Sequence, residues 1–194
     1  MWDGVTVLTK PTLDAITLAE AKAWMNIDYD DHDELITEII LGAIGMIDGP
    51  SGIGYAMMTQ TWKKTYDLFP VSIVLPGWPV ASVTSVKYID ADGAEQTLDA
   101  ANYRVDLTRE PVRVHEAWNT SWPTTRLISS AVSIEYVLGV DDPIDVDHAI
   151  LSALKQIVAH HYEMREAVSQ MSQNVVPLGA QRIMTEYSRG RVAA

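Results

Sequence analysis

Cysteine is missing from the sequence, and with it go disulfides, thiolate zinc sites and cysteine nucleophiles. Basic residues are scarce: 14 Lys and Arg stand against 26 Asp and Glu, a formal charge of -12. Duplex binding needs clustered cations to displace counterions, so a chain this acidic is poorly suited to grip phosphates. No stretch approaches the roughly 20 uninterrupted apolar residues of a membrane-spanning helix, and Met1-Trp2-Asp3 lacks the basic-then-apolar layout of a secretion signal. The expectation is a soluble chain made in the cytoplasm. Also absent are a Gly-rich phosphate loop, a Gly-x-Ser-x-Gly elbow and a zinc-protease helix signature. These absences move the weight from catalysis towards binding or assembly, with no enzyme activity and no cofactor expected.

What is present is an ordinary globular composition. Apolar residues make up 47% and charged residues 21% of 194 positions, which fits one domain with or without a small insertion. A chain of this length buries about 70% of the surface its unfolded form exposes, enough for a core without staples. The charge is unevenly placed. In the first 50 residues, Asp3, Asp14, Glu20, Asp28, Asp30, Asp31, Asp33, Glu34, Glu38 and Asp48 face only Lys10 and Lys22. From Val176 onward Arg182, Arg189 and Arg191 outnumber Glu186. An acidic body with a basic tail suggests that the tail meets a different partner or an acidic neighbouring copy.

Local patterns predict an α+β fold. Residues 1–16 read as an extended lead-in. Thr17-Leu-Ala-Glu20 is a capping box that starts a short helix running to about Met25. The acids from Asp28 to Glu34 supply an N-cap and first turn for a second helix. Its apolar face is Leu35, Ile36, Ile39, Ile40, Ala43, Ile44 and Ile47, and it ends near Gly49-Pro50. Gly42 and Gly45 inside it read either as tolerated or as a place where another helix approaches closely.

The period then changes from helical to alternating. Runs at Thr59–Leu68, Val71–Leu75, Val83–Ile89, Gln96–Leu98, Tyr103–Asp106, Val112–His115 and Val132–Val137 predict five to seven short strands, with Asp90-Ala-Asp-Gly93 as a hairpin turn. Asp142-Pro143 predicts a cap and first turn for a long helix carrying Ile144, Ile150, Leu151, Leu154, Ile157, Val158, His161 and Tyr162. That helix must pack on the second one to bury both faces. Ala167–Val176 reads as a linker, and Pro177 to about Arg189 as a last short helix with Leu178, Ile183, Met184 and Tyr187 on one side. The predicted organisation is a single domain over 1–194: N-terminal helices in 17–50, an antiparallel β module inserted over 57–138, a long helix over 142–166 and a helical arm over 176–194.

Three constellations invite a chemical reading. His160 and Glu163, with His161 beside them and His148 near, have helical spacing for part of a metal site and the second pair of ligands is missing, so partly buried helix residues explain them better. Asp28, Asp30 and His32 alternate like the start of a calcium loop without its glycine or terminal glutamate, and a helix start accounts for them. Trp78, Trp118 and Trp122, interleaved with Lys63, Lys64 and Arg126, could stack single-stranded nucleic acid. Packing or a subunit interface is the simpler reading of these tryptophans. The alternatives to an assembly protein are thus a metal-dependent hydrolase built on His160 and Glu163, or a single-strand-binding module.

A succession of phrases carries a resemblance. Leu18-Ala-Glu-Ala-Lys22 is followed by the Asp-rich run to Glu34; then come Met58-Thr-Gln-Thr-Trp62, Leu68-Phe-Pro70, Leu75-Pro76, Val80-Ala-Ser-Val-Thr-Ser-Val86, Tyr88-Ile-Asp-Ala-Asp-Gly93, Tyr103-Arg-Val-Asp106, His160-His-Tyr-Glu-Met-Arg-Glu-Ala167 and Val176-Pro-Leu178. In this order the chain resembles the head-to-tail connector (adaptor) proteins of long-tailed bacteriophages and of phage-derived gene transfer agents. The resemblance implies a ring, usually of twelve copies, between the portal of the capsid and the stopper or tail components, with DNA passing through without base contacts. It implies a C-terminal segment that reaches the portal, a role that would fall here on Pro177, Leu178, Ile183, Met184, Tyr187, Arg189 and Arg191. Asp30, Asp31, Asp33, Glu34 and Glu38, with Trp78, Trp118 and Trp122, are the candidate contacts between copies, the acids pairing with Arg182, Arg189 or Arg191. The implied location is the head-tail junction of a virion or phage-like particle.

Overall fold

A computed structural model describes residues 3–164 and 176–188. The chain forms two compact units, each assembled from two separate segments. One comprises the residues up to Thr12 together with Thr59–Val140, and the other Leu13–Met58 together with the residues from Asp141 onward.

The first unit is the β module. Its strands are β1 (Val5–Thr9), β2 (Gln60–Tyr66), β3 (Ile73–Leu75), β4 (Val80–Ile89), β5 (Glu95–Thr97), β6 (Tyr103–Asp106), β7 (Val112–Glu116) and β8 (Val132–Leu138). They make a five-stranded sheet in the order β1-β2-β8-β4-β5 and a three-stranded sheet in the order β3-β7-β6. Every pairing between these strands is antiparallel. The lead-in expected before the first helix is therefore partly a strand, β1, whose partner β2 lies more than fifty residues away and leaves no local trace in the sequence.

β8 is the central strand of the larger sheet, with β2 beside it, paired without interruption from Gln60 opposite Leu138 to Tyr66 opposite Val132. The period-two pattern of β8 buries Val132, Ile134, Tyr136 and Leu138 and leaves Ser133, Glu135 and Val137 on the other face. Trp62 of β2 is fully buried and meets the Tyr136 ring edge-on at 6.3 Å between centroids. Its indole N–H donates to the buried Gln60 Oε1 at 2.7 Å, so neither polar group is orphaned. The two sheets are tied by hydroxyls: Tyr66 Oη donates to the Val74 carbonyl at 2.6 Å and Tyr136 Oη to the Pro76 carbonyl at 2.9 Å. Burial pushes both phenols up from their ordinary pKa.

The second unit holds four helices among the described residues: α1 (Leu18–Met25), α2 (Asp33–Ile47), α3 (His148–Glu163) and α4 (Leu178–Tyr187). α1, α2 and α4 all pack on α3. The buried stripes are Ile36, Ile40, Ala43 and Ile47 on α2, and Ile150, Ala153, Leu154, Ile157, Val158 and Tyr162 on α3, each fully buried aliphatic side chain contributing about 1.5–3 kcal/mol. The capping box of α1 forms in full: Glu20 N–H donates to Thr17 Oγ1 and Thr17 N–H to Glu20 Oε2. That amide holds the Glu20 carboxyl below its ordinary pKa.

Two helix starts differ from the sequence reading. The N-cap of α2 is His32, which makes no side-chain capping bond, so the acids before it do not cap. Asp33 and Glu34 occupy the first turn, where the helix dipole favours them. Asp142 does cap a turn, but a 3₁₀ turn over Pro143–Asp145, and α3 begins only at His148, with Asp147 accepting from the Ala149 N–H. Two Asp residues five positions apart offer two caps, and the second opens the α-helix. Gly42 and Gly45 face open space, since a Cβ at either would meet nothing within 4 Å. Within the described chain they are not a helix-crossing point.

Gly77 is a tight point in the core of the β module. Its φ is +85°, and a Cβ there would lie 2.3 Å from Trp62 Cζ3 and 2.9 Å from Leu138 Cδ2. Gly77→Ala combines left-handed strain with overpacking of the core, for an expected loss of roughly 2–4 kcal/mol. A urea midpoint within about 0.5 kcal/mol of the wild-type stability would refute this account of the Trp62 pocket.

Candidate assembly surfaces

The acidic lead into α2 is only partly available. Lys22 of α1 bridges Asp30 at 2.6 Å and Asp33 at 2.7 Å. These two carboxylates, Asp30 first, hold the Lys22 ammonium above its ordinary pKa. Asp31, Glu34 and Glu38 are exposed and present negative charge outward from α2. The loop before α2 is pinned to the last turn of α3: Tyr162 Oη lies 2.7 Å from His32 Nδ1 and 2.8 Å from Tyr29 Oη. The alternation of Asp28, Asp30 and His32 thus serves a helix junction.

The histidine cluster does not assemble. His148 is the first residue of α3 and His160 lies twelve positions further along, about 18 Å along the axis. Among the described residues no group of three His, Asp or Glu side chains could hold a metal ion. His160 and His161 are half-buried in the last turn, with Glu163 exposed after them.

The tryptophans divide by environment. Trp122 stacks flat on Phe69, with centroids 4.8 Å apart and planes 4° from parallel, and Phe69 also meets Tyr88. One aromatic face of Trp122 is therefore already used inside the module, while its indole N–H is buried without a hydrogen-bond partner. Trp78 is half-buried, and Trp118 is 91% exposed. Lys64 donates to the Asp3 carbonyl and sits 4.7 Å over the Tyr66 ring, whereas Lys63 lies on the opposite face of β2. Arg126 lies against Gly93 of the hairpin. Lys63 and Lys64 thus do not share one face of β2. The sequence did not reveal the exposed apolar loop residues Val71 at 93% and Leu127 at 86%, because single apolar residues between strands look like core.

α4 is held within its unit. Ala180 is fully buried, Ile183, Met184 and Tyr187 are half-buried, and Pro177 is half-buried at the N-cap. Tyr187 Oη donates to Asp147 Oδ2 at 2.7 Å while Oδ1 of the same carboxylate caps α3. The Tyr55 ring meets Tyr187 edge-on. The outward face of α4 is Leu178, 70% exposed, with Gln181, Arg182, Thr185 and Glu186. Arg189 and Arg191 lie outside the described residues.

Residues 15–58, spanning α1 and α2, match the model of the Phage gp6-like head-tail connector protein family. No curated protein matches. Among solved structures, the chain is similar over 94% of its length to 94% of a chain in a structure described as the virion of a native gene transfer agent (GTA) particle, with a TM-score of 0.74 and 20% identity. It is similar to the same extent to a chain in the neck of an empty GTA particle computed with C6 symmetry, at a TM-score of 0.73 and 21% identity. A chain in the neck of a native GTA particle computed with C12 symmetry matches at 0.65 and 19%. This chain has their fold. The α+β architecture that the local patterns predict is the one observed.

The Asp147 carboxylate joins two jobs, and its hydrogen bond raises the Tyr187 pKa to about 12. A phenol whose folded pKa is raised contributes stability that is fully present below about pH 10, its unfolded value, and is lost as pH rises through about 12. Tyr187→Phe should abolish this alkaline dependence at a cost of about 1 kcal/mol. Asp147→Ala should cost more, because the α3 cap goes with it. Thermal unfolding across pH 8–11.5 measures both, and identical alkaline profiles for wild type and Tyr187→Phe would reject the assignment.

Proposed function

We propose that this chain is a structural head-to-tail connector subunit. Copies form a ring, twelve-fold by analogy with the neck computed with C12 symmetry, that docks on a portal protein and joins it to a stopper or tail-terminator component at the head-tail junction. The observation that carries the reading is the likeness of nearly the whole chain to chains of GTA virions and necks, joined to the connector-family match over residues 15–58.

A ring around packaged DNA benefits from acidic walls, because repulsion of phosphates limits sticking. The excess of carboxylates over the whole chain, 26 against 14 basic residues, supports such a lining. Portal docking falls to the C-terminal segment. Because Ala180, Ile183, Met184 and Tyr187 face inward, the outward side of α4, with Leu178 and Arg182, is the surface left for the portal, and Arg189 and Arg191 extend that basic character along the sequence. Asp31, Glu34, Glu38 and the exposed Trp118 serve contacts between copies in this reading.

Particles made without the chain should accumulate as unjoined heads and tails, and electron microscopy of particles carrying it should show a ring at the capsid vertex. Normal joining in its absence would remove the proposal. Leu178→Asp combined with Arg182→Glu should leave thermal stability within about 0.5 kcal/mol, as surface changes do, and abolish retention on the portal in a pull-down. Unchanged retention would move the docking surface elsewhere.

A further inference from the structure

The five-stranded sheet has two open edge stretches that carry neither charge nor proline. β1 reads Val5-Thr-Val-Leu-Thr9 and, among the described residues, pairs on one side only, with β2. β4 pairs with β8 along its length, but on its other side β5 covers only Lys87–Ile89, leaving Val80–Ser85 open. That open stretch reads Val-Ala-Ser-Val-Thr-Ser. Neither edge contains a charge or a proline, the residues with which proteins normally discourage strand addition. The contrast is internal: β5 carries Glu95, and the β6 edge of the smaller sheet carries Arg104 and Asp106. Thr6, Leu8 and Thr9 on β1, and Ala81, Ser82 and Thr84 on β4, are all exposed.

The two edges also match one another. Successive antiparallel pairings across β1, β2, β8 and β4 make β1 and β4 run in opposite directions. A second copy placed beside the first with its sheet in the same orientation therefore brings β1 against β4 in the antiparallel sense, the pattern of the whole sheet. Five residues of β1 meet six open residues of β4. Thr6 lies opposite Lys63 and so shares a sheet face with Glu135 and Ser85, and Ser82, opposite Val137, shares it too. Both edges are bulged, at Leu8 and around Ala81 and Thr84. Bulges bend a strand and blunt indiscriminate pairing, so they select a partner of one register.

We propose that β1 of one copy adds to the open stretch of β4 of the next, a head-to-tail contact between unlike surfaces of the kind a closed ring requires. The proposal rests on the ring reading above and names the contact that links the copies.

The absence of cysteine makes a direct test possible. Thr6→Cys or Thr9→Cys is combined in the full chain with Ser82→Cys or Thr84→Cys, and particles bearing the assembled protein are oxidised. Residues opposed on neighbouring antiparallel strands have Cα atoms about 4.5–5.5 Å apart, within disulfide reach. At least one pair should give a ladder of linked copies on a non-reducing gel that reductant collapses, while each single variant gives none. A charge cycle checks the contact without crosslinks: Thr6→Glu with Ser82→Glu should lose ring occupancy, and Thr6→Lys with Ser82→Glu should regain it. If rings are visible by microscopy but no pair crosslinks and the like-charge variant still fills them, strand addition is wrong and the connector reading survives. If no ring is seen at all, both fall.

Discussion

The antiparallel pairing of β2 with β8 is the constraint on which the rest of the molecule depends. These strands are the first and last of the inserted segment, and they lie side by side in its larger sheet, with β8 at the centre. Their pairing brings Thr59 and Val140 together, with the Thr59 N–H donating to the Val140 carbonyl at 2.9 Å. The chain thus leaves for the β module and returns from it at one place. Closing a long excursion costs little more than closing a short one, about 0.6 kcal/mol per doubling of length. Seven paired residues with a buried Trp62–Tyr136 contact more than offset that, so an insertion of this size need not weaken the helices on either side of it.

Within the helical unit the corresponding role belongs to α3, which supplies the surface for all three other helices. Its two ends are secured differently. At the start, Asp147 caps the helix and accepts the Tyr187 hydroxyl, coupling the seating of α4 to the integrity of the α3 N-terminus. At the end, the buried Tyr162 hydroxyl gathers Tyr29 and His32 from the loop between α1 and α2. Both junctions use a short polar network, so that the apolar stripes between them are free to set the packing. Charge is then left over for the outside: apart from the favourable place of Glu34 in the first turn, the acids of α2 that Lys22 does not engage remain as a surface property.

Much of the architecture is legible in residues that act locally. Thr17 and Glu20 announce α1, Asp90 and Gly93 the hairpin between β4 and β5, and the alternation of Val132, Ile134, Tyr136 and Leu138 the central strand. What is hidden depends on partners distant in sequence. β1 has no period of its own and is a strand only because β2 accepts it. The start of α3 is ambiguous because Asp142-Pro143 and Asp147 both present valid caps, and nothing nearby decides between a 3₁₀ turn and an α-helix. The assembly surfaces are the least legible part. Leu178 and Ile183 look alike in a helical pattern, and only the position of α3 makes the first an outward residue and the second an inward one.

A ring subunit must stay apart from its fellows until it is placed and then join them without growing into a filament. Uncharged edges alone would not manage this, since a smooth pair of complementary edges adds copies indefinitely. Here the ten-residue β4 has its far end covered by β5, and the open remainder is interrupted by bulges. In the proposed ring such an edge would take only a short strand in the register its bulges leave open, and a fixed angle between successive copies would turn head-to-tail addition into closure. The net charge of -12 opposes contact between free copies, over a range of about 8 Å at physiological salt. On this reading the edge stays unused between free copies and engages where a portal holds them side by side.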